Sequence, residues 1–591
     1  MNATKSNRRN VFHFVLIKPS HYDDDGYVIQ WLRSAVPSNS LAVLYGLAKD
    51  CGENDALGPE VTLKISAYDE TNTRIKVRKL AARIRRGGGR GLVGLVGVQS
   101  NQFPRAMDLA RQFLAEDIPV CIGGFHVSGC VAMLPELTPE IKEALDCGVS
   151  LFIGEAEEGR LERLLQDAYG GTLRPMYEAP DELPSLEGAP GPILPARKIW
   201  RTASGYTSFD GGRGCPFQCS FCTIINVQGR KSRYRTADDV EKIIRANLAQ
   251  RIRHFFVTDD NFARNKNWEN IFDRLIELRE VEGLDIKLVL QVDTMCHKIP
   301  NFIEKAARAG VTRVFIGLES INPETLAHAK KRQNRITEYR RMVQAWRDVG
   351  TLTYAGYIVG FPTDTPETII RDIEIIKREL PLDLLEFFCL TPLPGSEDHK
   401  NLYLRGTWME PDLNQYDSSH ATIEHPHMSR EEWQELFRLA WKTYYSPEHV
   451  ETVLRRARRS GIERPTVLRY MMLWFYGSAL LEGVHPLEGG LLRLKFRRDR
   501  RPGLPIEPAF AFYRKSLADF FRKHAAAAKV WWCHRQIARR IAADPARQSY
   551  TDLSLTPVSS SEFEELDMFT ATDAAKAAVI RARPVRRAAR A

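Results

Sequence analysis

Residues 211–222 read GGRGCPFQCSFC, and the interpretation of this stretch decides the fold around it. Cys215, Cys219 and Cys222 stand in a CxxxCxxC spacing. Three thiols so close in the chain converge on one centre only if the backbone loops tightly, and Gly211, Gly212, Gly214 and Pro216 supply that loop. A zinc ion asks for a fourth nearby ligand, and the nearest downstream candidates, His254 and Cys296, stand at the far ends of intervening elements. An iron-sulfur cubane on three thiolates leaves one iron open. The loop follows an apolar run that begins at Tyr206 and opens a series of strand candidates: HFFVTDDN (254–261), IKLVLQVD (286–293), VTRVFIGLES (311–320), TYAGYIVGFPTDT (353–365) and LEFFCLTPLPG (385–395). Amphipathic helical segments lie between them, the pattern of an α/β unit.

Toward the N-terminus the same alternation recurs. Short β-branched runs at 12–17, 61–65, 92–98, 120–122 and 150–153 are separated by helical-period segments at 40–51, 74–86, 105–116 and 139–147. This predicts a doubly wound, flavodoxin-like parallel sheet whose ligand sits beyond the carboxyl ends of the strands. Five prolines in EAPDELPSLEGAPGPILPARK (178–198) break regular structure and mark a linker. The domains read as 1–177 (doubly wound), 178–200 (Pro-rich linker), 201–400 (cysteine-loop domain), 401–547 (mainly helical, placed over the site and the substrate) and 548–591 (basic, flexible tail). In the helical part, segments 430–445, 448–459 and 511–542 carry the period, and Ser429 with Glu432 forms a capping box.

The chain has 591 residues, 43% of them apolar and 27% charged, a composition that excludes disorder as its main state. No apolar run reaches the roughly 20 residues that cross a bilayer, and the N-terminal run is broken by His13 and Lys18. A cytoplasmic protein, at most peripheral to a membrane, is expected, with its 10 cysteines reduced or bound to metal. Of the net charge of +10, six cations fall in residues 576–591. A second basic knot, RLKFRRDRR (493–501), is a candidate for phosphate or anionic head groups. His420, His425 and His427 read as a loop in preference to a metal cluster, and Leu517, Phe520, Phe521, Val530 and Trp531 as core in preference to a membrane-facing stripe.

The cysteine loop, with an aromatic at Phe221, resembles the signature of the radical S-adenosylmethionine (SAM) enzymes, whose fold is a partial (β/α)6 barrel. The resemblance implies that Cys215, Cys219 and Cys222 hold a [4Fe-4S] cluster whose open iron chelates SAM, and that the reduced cluster cleaves SAM to a 5'-deoxyadenosyl radical. It assigns Phe221, Asp259, Asp260, Glu319 and Gly360 to SAM binding. Carboxylates at strand ends face the mouth of such a barrel, which suits the three acids. A doubly wound sheet before this core, with GGFH (123–126) and IGEAEEG (153–159), resembles the cobalamin-binding branch. That resemblance points to Ser100, Gly123, Gly124 and His126 as cobalamin contacts. The axial-histidine motif of classical cobalamin domains, DxHxxG, is incomplete in KPSHYDDDGY, where Pro19 takes the place of the Asp and Asp24 that of the Gly, and the resemblance to the radical SAM branch implies binding without histidine ligation, so His21 is expected not to ligate cobalt.

The resulting expectation is a cobalamin-dependent radical SAM enzyme that methylates an unactivated carbon of a small-molecule or lipid-like substrate, with a flavodoxin or ferredoxin type of electron donor. An oxidative cyclase or ring-rearranging enzyme is the alternative on the same cofactors. A zinc-containing nucleic-acid-binding protein that uses the basic tail is the alternative from another class.

Overall fold

The computed structural model describes residues 10–178, 182–460, 465–557, 559 and 565–588, with side chains of the last helix described to residue 582. In the N-terminal part, β1 (Asn10–Lys18), β3 (Val61–Asp69), β4 (Arg90–Leu95), β5 (Val120–Gly123), β6 (Ser150–Phe152) and β7 (Met176–Tyr177) form one sheet. Its order is β3-β1-β4-β5-β6-β7 with every pair parallel, a doubly wound topology. The period of two in β1 explains why both faces are covered: Val15 and Ile17 join one apolar core, and Phe12, Phe14 and Leu16 join the other. The predicted strands are present, and the order reverses between β1 and β4, where the sheet opens a crevice. The helix Phe125–Met133 and the edge strand β7 were not anticipated, because one is weakly periodic and the other short; the helix Arg160–Gly170 was missed although Leu161, Leu164 and Leu165 carry a helical period.

The strand β2 (Gln30–Ser34) leaves this sheet and pairs antiparallel with β16 (Gly490–Leu494). The partners are more than 450 residues apart in the chain, so no local pattern announces them. Gly490 permits the pairing, since a Cβ there would lie 2.1 Å from Trp31 Cγ.

The second sheet contains β8 (Tyr206–Phe209), β11 (His254–Val257), β12 (Lys287–Val292), β13 (Val311–Glu319), β14 (Leu352–Val359) and β15 (Leu384–Cys389), parallel and in sequential order. Right-handed crossovers in one direction place all helices on one face and curl the sheet about the other. Tyr206, Phe256, Val289, Arg313, Tyr354 and Glu386, one from each strand, line a single cavity of about 350 Å³. The sheet is therefore the expected six-stranded partial barrel. A small hairpin-like pair, β9 (Gly212–Arg213) with β10 (Arg233–Tyr234), clasps the segment that carries the cysteines.

Three expectations change. The described part of the proline-rich linker lacks regular structure up to the short helix Ala196–Ile199, but it is no loose spacer: Leu186 and Leu194 are buried, and Ile193 N–H donates to Ala42 O at 3.1 Å. The tail is folded as far as it is described, with Leu566, Met568, Phe569, Ala575 and Val579 in the barrel's core cluster and Arg378 paired with Asp567. Burial of an apolar stripe overrides the basic composition there. The helix Ala509–Ala543 is not a core helix along its first half: Leu517 is 58% and Phe521 62% exposed, and Phe520 is also exposed. The helices Arg430–Tyr444 and Pro447–Arg459 form as predicted, the first with its Ser429–Glu432 capping box.

Candidate cofactor site at the barrel mouth

The cysteine loop is held by backbone contacts that its glycines make possible. Gly214 has φ +88°, and a Cβ there would lie 2.5 Å from Lys231 O. Cys215 N–H donates to Gly229 O at 3.2 Å, and Ser220 N–H to Ala329 O at 3.1 Å. Cys219 is buried, and Cys215 and Cys222 are half-buried. Burial pushes the free thiols up, to about 11 for Cys215 and about 12 for Cys222, so both need a bound cation to be thiolates at neutral pH. The three Sγ atoms do not gather within 4.8 Å of one another. A single tetrahedral zinc with bonds of about 2.3 Å would draw them closer than that, whereas a cubane accepts the wider spacing. The donor set of three cysteines thus fits the cluster.

The two aspartates after β11 brace this loop. Asp259 is buried and accepts from Gly211 N–H at 2.6 Å and Asn265 Nδ2 at 3.0 Å, with Gly212 N–H as a further donor. Asp260 accepts from Gly214 N–H. Burial raises both carboxyls to about 7 against those hydrogen bonds. Asp259 is therefore committed to shaping the loop, and Asp260 is half-buried beside the cysteines.

Glu319, at the end of β13, has φ +63° and accepts a hydrogen bond from Lys331 Nζ at 2.5 Å. Despite burial, Glu319 and the nearby Cys219 and Cys222 raise the Lys331 ammonium above its ordinary value. Lys331 also lies 5.7 Å from the centroid of the Phe221 ring, and Gln333 Nε2 donates to Cys219 Sγ at 3.4 Å. Neither Lys331 nor Gln333 was legible as a site residue, because a charged run such as AKKRQN reads as a solvated loop. Phe221 makes an edge contact with Phe361, 6.2 Å between centroids. Gly360 has φ +102°, and a Cβ there would collide with the Trp433 ring, whose Nε1 donates to Val359 O at 3.1 Å. Packing against Trp433 explains this glycine without a ligand. The structure thus gathers Phe221, Glu319, Lys331 and Asp260 around the cysteines, and sets Asp259 and Gly360 behind them.

A second cavity, of about 170 Å³, opens at the carboxyl edge of the N-terminal sheet. Gly94, Gly97, Gly123, Gly124 and Gly154 line it from the sheet side, and Arg213, Val227 and Gln228 line it from the cysteine-loop side. Gly124 has φ +151°, and a Cβ there would lie 2.2 Å from Val98 N. Protein atoms meet the Cβ positions of Gly94, Gly97, Gly123 and Gly124, as at a packed contact, so what points to a ligand is the crevice's place beyond the carboxyl ends of the strands where the strand order reverses. Gly123 and Gly124 are at the cavity. Ser100 and His126 are not among its lining residues; they are buried and joined to each other, Nδ1 to Oγ at 3.1 Å. The IGEAEEG segment has a joining role: Glu155 and Glu157 pair with Arg213 at 2.6 and 2.7 Å, and Arg233 also pairs with Glu155. His21 is buried and pairs through Nε2 with Glu488 Oε2 at 3.1 Å, so this nitrogen is engaged by the C-terminal part of the chain.

The remaining motifs are also absorbed by structure. In the basic knot, Arg493 and Lys495 pair with Asp23, Arg501 with Asp412, and Asp499 with Arg74. His420 lies between Asp24 and Asp417, which, against burial, raise it to about 10, and His425 Nε2 contacts Phe361 O at 2.8 Å. The histidines at 420, 425 and 427 do not converge on one point. In the barrel cavity, burial raises Glu386, 1% exposed, to about 8, and its Oε1 has no hydrogen-bond partner.

Comparison with known proteins agrees with this geometry. Residues 211–376 match the Radical SAM superfamily. The bacteriochlorophyllide d C-8(2)-methyltransferase of Chlorobaculum tepidum is 27% identical over 56% of this chain and 73% of its own length. The hopanoid C-2 methylase of Rhodopseudomonas palustris is 26% identical over 48% of this chain, and the match spans about half (53%) of that protein. Among solved structures, the cobalamin-dependent S-adenosylmethionine radical enzyme OxsB, with aqua-cobalamin and S-adenosylmethionine bound, superimposes with a TM-score of 0.51 at 13% identity, over 91% of this chain and 81% of OxsB. The likeness to OxsB is one of fold, and it extends through both sheets. This chain carries a Radical SAM domain at residues 211–376 and shares its overall fold, doubly wound sheet included, with OxsB.

Proposed function

We propose that this protein is a cobalamin-dependent radical SAM C-methyltransferase acting on an unactivated carbon of an apolar, small-molecule or lipid-like substrate. One observation carries the reading: the glycine-lined cavity of the N-terminal sheet and the cysteine loop share a wall, since Arg213, Val227 and Gln228 of the loop region line the cavity. The residues that would hold the two cofactors therefore adjoin one another across a single layer of protein. When bound, the cluster and SAM supply a hydrogen-abstracting radical and cobalamin supplies a methyl group, chemistry that no side chain provides. The chain's own part is positioning. Cys215, Cys219 and Cys222 would hold the cluster; Glu319 offers a carboxylate to an ammonium or ribose hydroxyl; and Asp259 keeps the loop in shape. The crevice lined by Gly94, Gly123 and Gly124 would take cobalamin, with His21 held away by Glu488.

One feature supports an apolar substrate; the apolar barrel cavity does not bear on it, since its lining residues stand at the amino ends of the strands, away from the cysteine loop. The outer helix exposes Phe510, Tyr513, Leu517 and Phe521 at intervals of three to four residues, which suits contact with a membrane surface where such substrates reside. No helix among the described residues is long and apolar enough to cross a membrane. The electron would come from a flavodoxin or ferredoxin type of donor.

The test is anaerobic reconstitution with iron, sulfide and cobalamin, followed by incubation with methyl-labelled SAM and a low-potential reductant. Formation of both 5'-deoxyadenosine and S-adenosylhomocysteine is expected, and a lipid extract of cells expressing the protein should contain a product heavier by one methylene unit. Loss of hydrogens or gain of oxygen in the product would favour the cyclase reading instead. Zinc in place of iron and sulfide would end the radical reading.

A further inference from the structure

His126 and Cys130 are four residues apart on the helix Phe125–Met133, so their side chains lie on one helical face. Glu140, in the first turn of the helix Pro139–Asp146, meets them. One ligand atom from each of the three falls within 4.8 Å of the others, and no other group of at least three His, Cys, Asp or Glu residues among the described residues meets that criterion. Nε2 of His126 lies 3.6 Å from Glu140 Oε1, too long for a hydrogen bond, and it is buried without a partner. Cys130 Sγ lies 4.0 Å from the same oxygen.

His126 is held from behind in the manner of a metal ligand, and Glu140 is oriented by a neighbouring hydroxyl. His126 Nδ1 is 3.1 Å from Ser100 Oγ; a hydrogen bond donated there leaves the Nε2 lone pair directed at Cys130 and Glu140. Thr138 Oγ1 donates to Glu140 Oε1 at 2.6 Å and orients that carboxylate. A neutral imidazole, a thiol and a carboxylate are the donor types that zinc takes, and the ligand separations seen here are close to those across a tetrahedral ion.

The geometry points to a mononuclear zinc site formed by His126 Nε2, Cys130 Sγ and Glu140, with its fourth position open to water on the side of the 27% exposed Glu140 side chain. Zinc would displace the Cys130 proton and join the Phe125–Met133 helix to the Pro139–Asp146 helix. The first of these helices packs on the barrel: a Cβ at Gly129 would lie 2.3 Å from Pro394 O. The site is separate from the cysteine loop and gives His126 a role away from the glycine-lined cavity.

The experiment uses the full-length protein with its iron-sulfur centre reconstituted anaerobically, equilibrated with one equivalent of zinc and freed of loose metal. Metal analysis should find one zinc per chain without loss of iron. Zinc-edge X-ray absorption should show one sulfur at about 2.3 Å, the rest of the shell being nitrogen and oxygen. Cys130→Ser and Glu140→Gln should each weaken zinc binding by roughly tenfold to a hundredfold, with iron content and SAM cleavage retained. Absence of zinc from the wild type, equal zinc in wild type and both variants, or a zinc shell of three sulfurs with iron displaced would each overturn the assignment. Cys130→Ala gives a check on folding: its circular dichroism should match that of metal-free wild type.

Discussion

Glu319 Oε1 and Lys331 Nζ are 2.5 Å apart at the barrel mouth, and the same ammonium stands over Phe221 and close to the cysteines. Replacing the carboxylate by an amide in Glu319→Gln turns a charge-assisted hydrogen bond of about 1.5–3 kcal/mol into an ordinary one. The SAM dissociation constant should rise several-fold to about tenfold with the iron-sulfur absorbance intact, measured by equilibrium binding. Lys331→Met strands the largely buried Glu319 carboxylate and should lower unfolding stability by about 3–5 kcal/mol. Unchanged SAM affinity in Glu319→Gln would assign the pair to structure alone.

Cys219 is the most buried of the three thiols in the loop. Cys219→Ala leaves two ligands, too few for a stable cubane. Anaerobic reconstitution should yield little iron and sulfide, and 5'-deoxyadenosine formation should vanish. Cleavage of SAM at the wild-type rate would show that the cluster lies elsewhere.

His21→Ala should leave the spectrum of bound cobalamin nearly unchanged, because Nε2 of His21 faces Glu488. It should destabilise the protein by about 1–3 kcal/mol, since half-buried Glu488 loses its principal partner. Against burial, the pair raises His21 above 6.5 and holds Glu488 down at about 2. The histidine's contribution is full below its unfolded value of 6.5 and is lost as pH rises through the folded one; the glutamate's is present above 4.5 and lost toward pH 2. The gap between wild type and variant in denaturant melts should therefore be widest between pH 4.5 and 6.5.

Val43 lines the cavity at the edge of the N-terminal sheet. Val43→Phe fills space that a ligand would use, at a packing cost of about 1–3 kcal/mol. Cobalamin affinity should fall by roughly tenfold while iron content stays the same. Retained cobalamin affinity would move that cofactor's site away from the glycine-lined crevice.

Glu386 inside the barrel has a folded pKa of about 8, above its ordinary 4.5, because burial disfavours its charge. The folded state therefore holds a proton that the unfolded chain releases, and stability should decline by a few kcal/mol as pH rises from 4.5 to 8. Glu386→Gln should flatten that decline in thermal melts taken across this range.

The sheet strands and the cysteine loop were legible because their signals are local. The apolar run VFHFVLIK, the glycines around Cys215 and the acids at the ends of β11 and β13 depend on neighbours a few residues away. The pairing of β2 with β16 and of His21 with Glu488, each bridging more than 450 residues, leaves no such mark, since either partner reads alone as an ordinary strand or loop residue. Charge runs misled for the same reason: the knot at 493–501 looks free until Asp23 and Asp412 are brought to it.

The sequence by itself determined two α/β units in tandem and a three-thiol loop that could hold a cluster, because backbone period, glycine placement and ligand spacing are properties of short stretches. Only the tertiary structure decided which groups share a site. It placed Lys331 beside Glu319, spent Asp259 on the loop and turned His126 toward Cys130 and Glu140, because burial and long-range packing set each side chain's neighbours.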